Sequence, residues 1–209
     1  MQLVIASPSP YARKARVVLN EKGIAHEIIM DLPWAEGTVA PANNPLGKIP
    51  ILLTDDGEAI HDSSVIVQYL ELVHPEPPLL PTDPAGRLEH RKIEVLADGI
   101  CDAIVLTALE GNREPELQSV DWVARQRAKI VAGLKRLAEL LGDKTWFLDD
   151  RMGIADIAAA CALGYIGVRA GDIEWRDEHP NLAAFSDRME ARPSFKISAP
   201  YSQPIPRFR

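Results

Sequence analysis

The segment HPEPPLLPTDP, residues 74–84, carries five prolines in eleven positions and constrains the fold more than any other stretch of the chain. Proline has no N–H to give a helix or sheet, and its ring clashes with the preceding turn. Such density therefore enforces an extended linker. The two sides of that linker read differently. Before it, short apolar runs alternate with amphipathic ones. "LVIA" (3–6) reads as a buried strand, Pro10 to Lys22 as a helix stopped at Gly23, and "HEIIMDL" (26–32) as a second strand. "IPILLTDDGEAIHD" reads as a hairpin turning at Asp56-Gly57. "SSVIVQYLELVHP" reads as a helix capped by serine and stopped before Pro75. The order is β-α-β, a loop with room for a short helix, then β-β-α. That order predicts a small mixed sheet with helices on its faces.

After the linker the signals are helical. Asp83 is placed to cap a long helix that has Pro84 at its first position and runs to about Asn112. Ser119 to Leu141 is a second, with Val123, Ile130, Leu134, Leu137 and Leu141 at helical spacing. "IADIAAACALGYIGVRAG" is apolar nearly all round and should be the buried central helix. "NLAAFSDRMEAR" is a further helix that Pro193 should end, and the tail "PYSQPIPRFR" should lack regular structure. The domains expected are an α/β unit over 1–76 and an all-helical bundle over 85–209.

With 209 residues, 46% hydrophobic and 25% charged, the chain can bury a core without staples. Its 30 acidic and 23 basic residues leave a net charge of −7, the wrong balance for a nucleic-acid partner. The start "MQLVIASPSP" has no basic region before its short apolar run, and no stretch approaches the ~18 apolar residues of a membrane span. No membrane association and a cytoplasmic location are expected. Cys101 and Cys161 lie far apart in helical patterns and read as small core residues. The five histidines show no ligand spacing, so no metal is expected.

Three short segments carry chemistry. In "SPSPYARKARVVL", Ser9 and Pro10 form a stabilising helix start by themselves. A serine hydroxyl that accepts from the helix still has a proton to donate, and a helix N-terminus favours negative charge. In "NPLGKIPILL", Pro50 is either an ordinary strand-initial proline or half of a cis Ile49-Pro50 bond, which would turn the Ile49 backbone away from the sheet. In "DSSVIVQYL", Asp62 and Ser63 sit where a helix has free N–H groups to satisfy.

Together with "GIADIAAA" and "HPNLAAFSDRMEARPSF", these segments make the chain similar to the cytosolic glutathione transferases over essentially its whole length. The resemblance implies a thioredoxin-like N-terminal domain that binds glutathione, an all-α domain that shapes the pocket for a small electrophile, and a homodimer. It puts Ser9 opposite the glutathione sulfur, with Ser7 and Tyr11 as rivals: Ser7 precedes a proline and should be extended, and Tyr11 falls inside the first helical turn. It gives the Ile49 backbone, beside Pro50, a strand-like pairing with the bound peptide, and Lys48 the glycyl carboxylate. It gives Ser63 the γ-glutamyl carboxylate and Asp62 its ammonium, where most members carry Glu. It also has Asp98, in "ADGICDA", reach the same amine across a dimer interface. The helix entry at "MGIADIAAA" departs from the family in having Gly153 where a hydroxyl cap is usual. Asp156 should still reach back to the cap N–H, and Met152 should pack on Ile157. The activity implied is glutathione transfer. A glutathione-dependent isomerase or thiol reductase and a non-catalytic binding or regulatory module are the alternatives.

Overall fold

The computed structural model describes residues 1–148, 150–203 and 205. The chain divides into two compact units, Met1–Leu79 with Arg192–Gln203, and a second that begins at Leu80. The first is a thioredoxin-like α/β unit. Its strands are β1 (Gln2–Ile5), β2 (Glu27–Met30), β3 (Ile51–Leu53) and β4 (Ala59–Ile60), in the order β2-β1-β3-β4. β1 pairs parallel with β2 and antiparallel with β3, and β3 pairs antiparallel with β4 across the Asp56-Gly57 turn. Gly57 has φ +90, a backbone open to glycine at little cost. Leu3, Val4 and Ile5 are buried, which is why β1 reads as a continuous apolar run. Helices α1 (Pro10–Glu21) and α3 (Ser63–Val73) pack on each other, and α2 (Ala40–Asn43) is a single turn in the loop after β2. Asp31 organises that loop, accepting from Thr38 Oγ1 at 2.5 Å and from the Ala40 N–H at 3.1 Å.

A buried ion pair ties the far ends of α1 and α3 to the linker. Lys22 Nζ lies 2.6 Å from Glu71 Oε1 and also donates to the carbonyls of His74 and Pro77, at 2.8 and 2.9 Å. All three ammonium protons are thus used, the condition under which a buried lysine is tolerable.

The second unit is helical: α4 (Pro84–Gly111), α5 (Val120–Leu141), α6 (Ile154–Arg169) and α7 (Pro180–Glu190). Asp83 and Ser119 cap α4 and α5 through their side chains, each a contribution of about 1 kcal/mol. α6 is buried on nearly all sides, and α4 packs against both α5 and α6. Gly133 permits the close approach of α5 to α4, because a Cβ there would stand 2.5 Å from Ile100 Cγ1. Asp156, fully buried, receives the Gly153 N–H and the Phe147 N–H, both at 2.9 Å. The acidic half of the helix-entry device therefore works without the hydroxyl half, as expected.

Three details differ from the sequence reading. The side-chain cap of α3 is Asp62, not serine. Pro193 opens a short helix, α8 (Pro193–Ile197), since a proline at the first helical position gives up only an N–H that is orphaned anyway. Arg192–Gln203 belong to the first compact unit, so its bounds extend beyond the 1–76 expected, and 85–209 is not one unit. Long-range polar anchors, invisible in local pattern, hold this segment there.

Candidate functional site

Strand register brings the three chemical segments to one end of the first unit's sheet. Val4 pairs with Ile51, so the end of β1 lies beside the start of β3. Leu52 pairs with Ile60, so the end of β4 lies there too. Ser9 follows β1, Ile49-Pro50 precedes β3 and Asp62-Ser63 follows β4. The N-termini of α1 and α3 meet at the same edge, and their amides leave a partial positive charge there.

Ser9 is the N-cap of α1, with extended backbone (φ −68, ψ 118). Its Oγ accepts the Ala12 N–H at 3.2 Å, its N–H closes a turn onto the Ala6 carbonyl at 3.1 Å, and the residue is half-buried. No group among the described residues takes the proton of its hydroxyl, which is left to donate. Of its rivals, Ser7 is buried and accepts the Tyr201 N–H at 3.0 Å, while Tyr11 lies in the first turn of α1.

The Ile49-Pro50 bond is cis. Ile49 is half-buried, Pro50 buried and Lys48 exposed. Asn44, 2% exposed, fixes this loop. Its Nδ2 donates to the Lys48 carbonyl at 2.8 Å, its Oδ1 accepts the Leu46 N–H at 3.0 Å, and its own N–H caps α2. Gly47 turns the chain at φ +59. The asparagine of "NPLGKIP" is therefore the residue that shapes the segment, and the sequence reading passed over it.

At the third position Asp62 Oδ1 takes both Ser64 donors, the N–H at 2.9 Å and the hydroxyl at 2.6 Å. Partial burial pushes the Asp62 carboxyl up, but the Ser64 hydroxyl and N–H, the Val65 N–H and the Lys14 charge together hold it below its ordinary value. Asp62 is thus an anion at neutral pH. Ser63 is the first residue of α3 and is buried, and its hydroxyl has no partner among the described residues. Six of the seven candidate residues, Ser9, Lys48, Ile49, Pro50, Asp62 and Ser63, therefore share one edge. Asp98 is a half-buried residue of α4 in the second unit.

Among the described residues no cluster of His, Cys, Asp and Glu could hold a metal, and no helix is long and apolar enough to cross a membrane. Cys101 and Cys161 are buried and form no disulfide with each other.

Residues 8–73 match the model of the glutathione S-transferase N-terminal domain, and residues 120–188 that of the C-terminal domain. The chain is 40% identical over 200 residues to the uncharacterized GST-like protein YibF of Escherichia coli K12, covering 96% of this chain and 98% of that one. It is 30% identical over 215 residues to a maleylacetoacetate isomerase of Pseudomonas aeruginosa, covering 98% of each. A glutathione S-transferase of Methylobacterium radiotolerans, solved in complex with glutathione sulfonate, superposes with a TM-score of 0.96 at 52% identity, over 98% of this chain and 97% of that one. The chain belongs to the glutathione S-transferase family.

Proposed function

We infer that this protein binds glutathione at the edge where α1 and α3 begin, and activates its thiol for attack on a small electrophile. The observation that carries the reading is the Ser9 hydroxyl, which accepts from its own helix and keeps its proton for an acceptor outside the chain. That the Methylobacterium radiotolerans relative was solved with glutathione sulfonate supports the ligand class. In this reading Ser9 Oγ–H donates to the glutathione sulfur, and the α1 N-terminus adds its partial positive charge. A hydrogen bond to a charged group is worth about 1.5–3 kcal/mol, enough to lower a thiol from about 8.5 by one to two units. The thiol proton leaves to solvent. The thiolate then forms the C–S bond while the electrophile expels its leaving group or takes up a proton.

The rest of the edge orients the peptide. The Ile49 backbone, beside the cis bond, pairs with it strand-fashion. Ser63 and the α3 N-terminus take the γ-glutamyl carboxylate, and the ionised Asp62 takes its ammonium. Lys48, exposed beside Ile49, meets the glycyl carboxylate.

The similarity to a maleylacetoacetate isomerase favours a second reading on the same thiolate. There, glutathione adds to an activated double bond and leaves again, so no conjugate accumulates. The protein is also proposed to be a homodimer in which Asp98 meets the glutathione of the partner subunit. Exposed apolar side chains support this: Leu72 on α3 is 75% exposed, and Leu88 and Val95 on α4 are 60% and 68% exposed.

Calorimetric titration with glutathione, followed by a panel of electrophiles that includes cis-dienones, tests these readings together. Stable conjugates mark the transferase, and geometric isomers without net thiol loss mark the isomerase. No glutathione binding would end both.

A further inference from the structure

The C-terminal segment Arg192–Gln203 belongs to the first unit and is anchored to α1 at several points between its last turn and the turn before its start. At the far end of the helix, Arg192 forks onto Glu21, with Nε to Oε1 at 3.0 Å and Nη2 to Oε2 at 2.8 Å, and the Ser194 hydroxyl donates to the same carboxylate. Nearer the start of the helix, Arg13 Nη2 donates to the Phe195 carbonyl at 3.1 Å, with its guanidinium 5.0 Å over the Phe195 ring. Arg16 Nη2 donates to the Ile197 carbonyl at 2.9 Å. Beyond the start of the helix, the Tyr201 N–H donates to Ser7 Oγ at 3.0 Å. The last of these anchors falls on the turn that presents Ser9.

That turn spans Ala6 to Ser9 and is closed by the Ser9 N–H on the Ala6 carbonyl. Its third residue is Pro8, and the Ser7-Pro8 bond is not among the cis bonds. A trans proline at that position disfavours a helical backbone at the residue before it, so the turn is poorly supported by its own sequence. Ser7 is its second residue, 6% exposed, and among the described residues its hydroxyl is held by the Tyr201 N–H. Support comes from a segment almost two hundred residues away.

We propose that the C-terminal strap is a positioning element for the reaction: by seating the Tyr201 N–H on Ser7 it sets the Ala6–Ser9 turn, and through it the direction in which the Ser9 hydroxyl meets the sulfur. The strap acts through Ser7 and contacts no reacting atom. This rests on the reading of Ser9 given above.

The test is the ultraviolet titration of the thiolate of bound glutathione in the full chain, with glutathione affinity measured alongside by calorimetry. Ser7→Ala removes the acceptor of the Tyr201 bond, Ser7→Thr restores a hydroxyl, and Tyr201→Pro removes the donor while keeping the other anchors. Ser7→Ala leaves every charged and titratable side chain of α1, α3 and the strap in place, Tyr11, Arg13, Lys14, Arg16, Asp62 and Tyr201 among them. Both Ser7→Ala and Tyr201→Pro should raise the thiolate pKa by about one unit, a tenfold loss of the thiolate form well below it, with affinity within about twofold. Ser7→Thr should titrate as the parent does. Two folded, glutathione-binding variants with the parental pKa would overturn the proposal. So would a shift in Ser7→Ala alone, since Ser7 would then be touching the sulfur itself. If Ser9→Ala, run in parallel, also keeps the parental pKa, the reading of Ser9 falls and the strap's role with it. A shift in Ser9→Ala without one in the other two removes only the strap.

Discussion

Replacing Lys22 by methionine should be the most damaging single change to the first unit. Its side chain is fully buried, that of Glu71 is 5% exposed, and they stand 2.6 Å apart. Methionine fills much the same volume but leaves the Glu71 carboxylate buried without its cation, and the carbonyls of His74 and Pro77 without their donor. Breaking a buried pair from one side costs about 3–5 kcal/mol, because the surviving charge is neither solvated nor matched. For a chain of this size each kcal/mol moves the melting temperature by about 2–4 °C, so a drop of about 6–20 °C is expected. The reverse change should be milder. Glu71→Gln leaves Lys22 with two carbonyl acceptors and an amide oxygen, and that oxygen can still receive the Leu79 N–H, now held by Glu71 at 3.2 Å. Combining Lys22→Met with Glu71→Gln removes the orphaned charge and should recover at least half of the loss. The assay is urea unfolding of all four proteins as a double-mutant cycle. A Lys22→Met cost below about 1 kcal/mol, or a double variant as unstable as the sum of the singles, would refute the reasoning.

Three further outcomes follow from particular contacts. Burial raises the Asp156 carboxyl from 3.8 to about 6, against the pull of the Gly153 and Phe147 N–H groups and of His90. The folded state therefore binds a proton that the unfolded state has released. This group's contribution is fully present below pH 3.8 and is lost as the pH rises through about 6. The stability advantage of the parent over Asp156→Asn should accordingly shrink from pH 4 to pH 6 in urea titrations, and an advantage that grows over that window would contradict the assignment. Asp62→Asn keeps an acceptor for the Ser64 donors but loses the charge. Its stability should change by a few tenths of a kcal/mol while glutathione affinity falls about fivefold, whereas an unchanged affinity would free Asp62 of the ammonium contact. Light scattering at micromolar concentration should give a dimer, and Asp98→Ala should weaken glutathione about fivefold. A monomer removes both statements, and a dimer with parental affinity removes only the second.

How much of this was legible in the chain depended on whether the signal was local. The proline linker, the Asp56-Gly57 turn, the Ser9-Pro10 and Asp83-Pro84 starts and the unbroken apolar run of α6 each announce themselves within a few residues, and each appears where expected. The edge shared by Ser9, Ile49-Pro50 and Asp62-Ser63 came from resemblance, because no local pattern states that β1 and β3 are neighbours. What stayed hidden was long-range pairing. No local pattern marks Lys22, Glu71, Arg13 or Arg16 as an anchor. Each is matched to a group that only the folded chain brings near. The strap escaped for the same reason, since its pairing with Glu21, Arg13, Arg16 and Ser7 is long-range. Asn44 was legible in principle, as an asparagine beside a Pro-x-Gly turn commonly bonds its own backbone.

The central claim is that Ser9 makes the bound thiol acidic, and titrating the thiolate absorbance of bound glutathione in the parent and in Ser9→Ala measures it most directly. The parent should show a pKa one to two units below the ~8.5 of a free thiol. Ser9→Ala, folded and still binding glutathione, should return most of that shift. An identical titration in the two proteins would contradict the account.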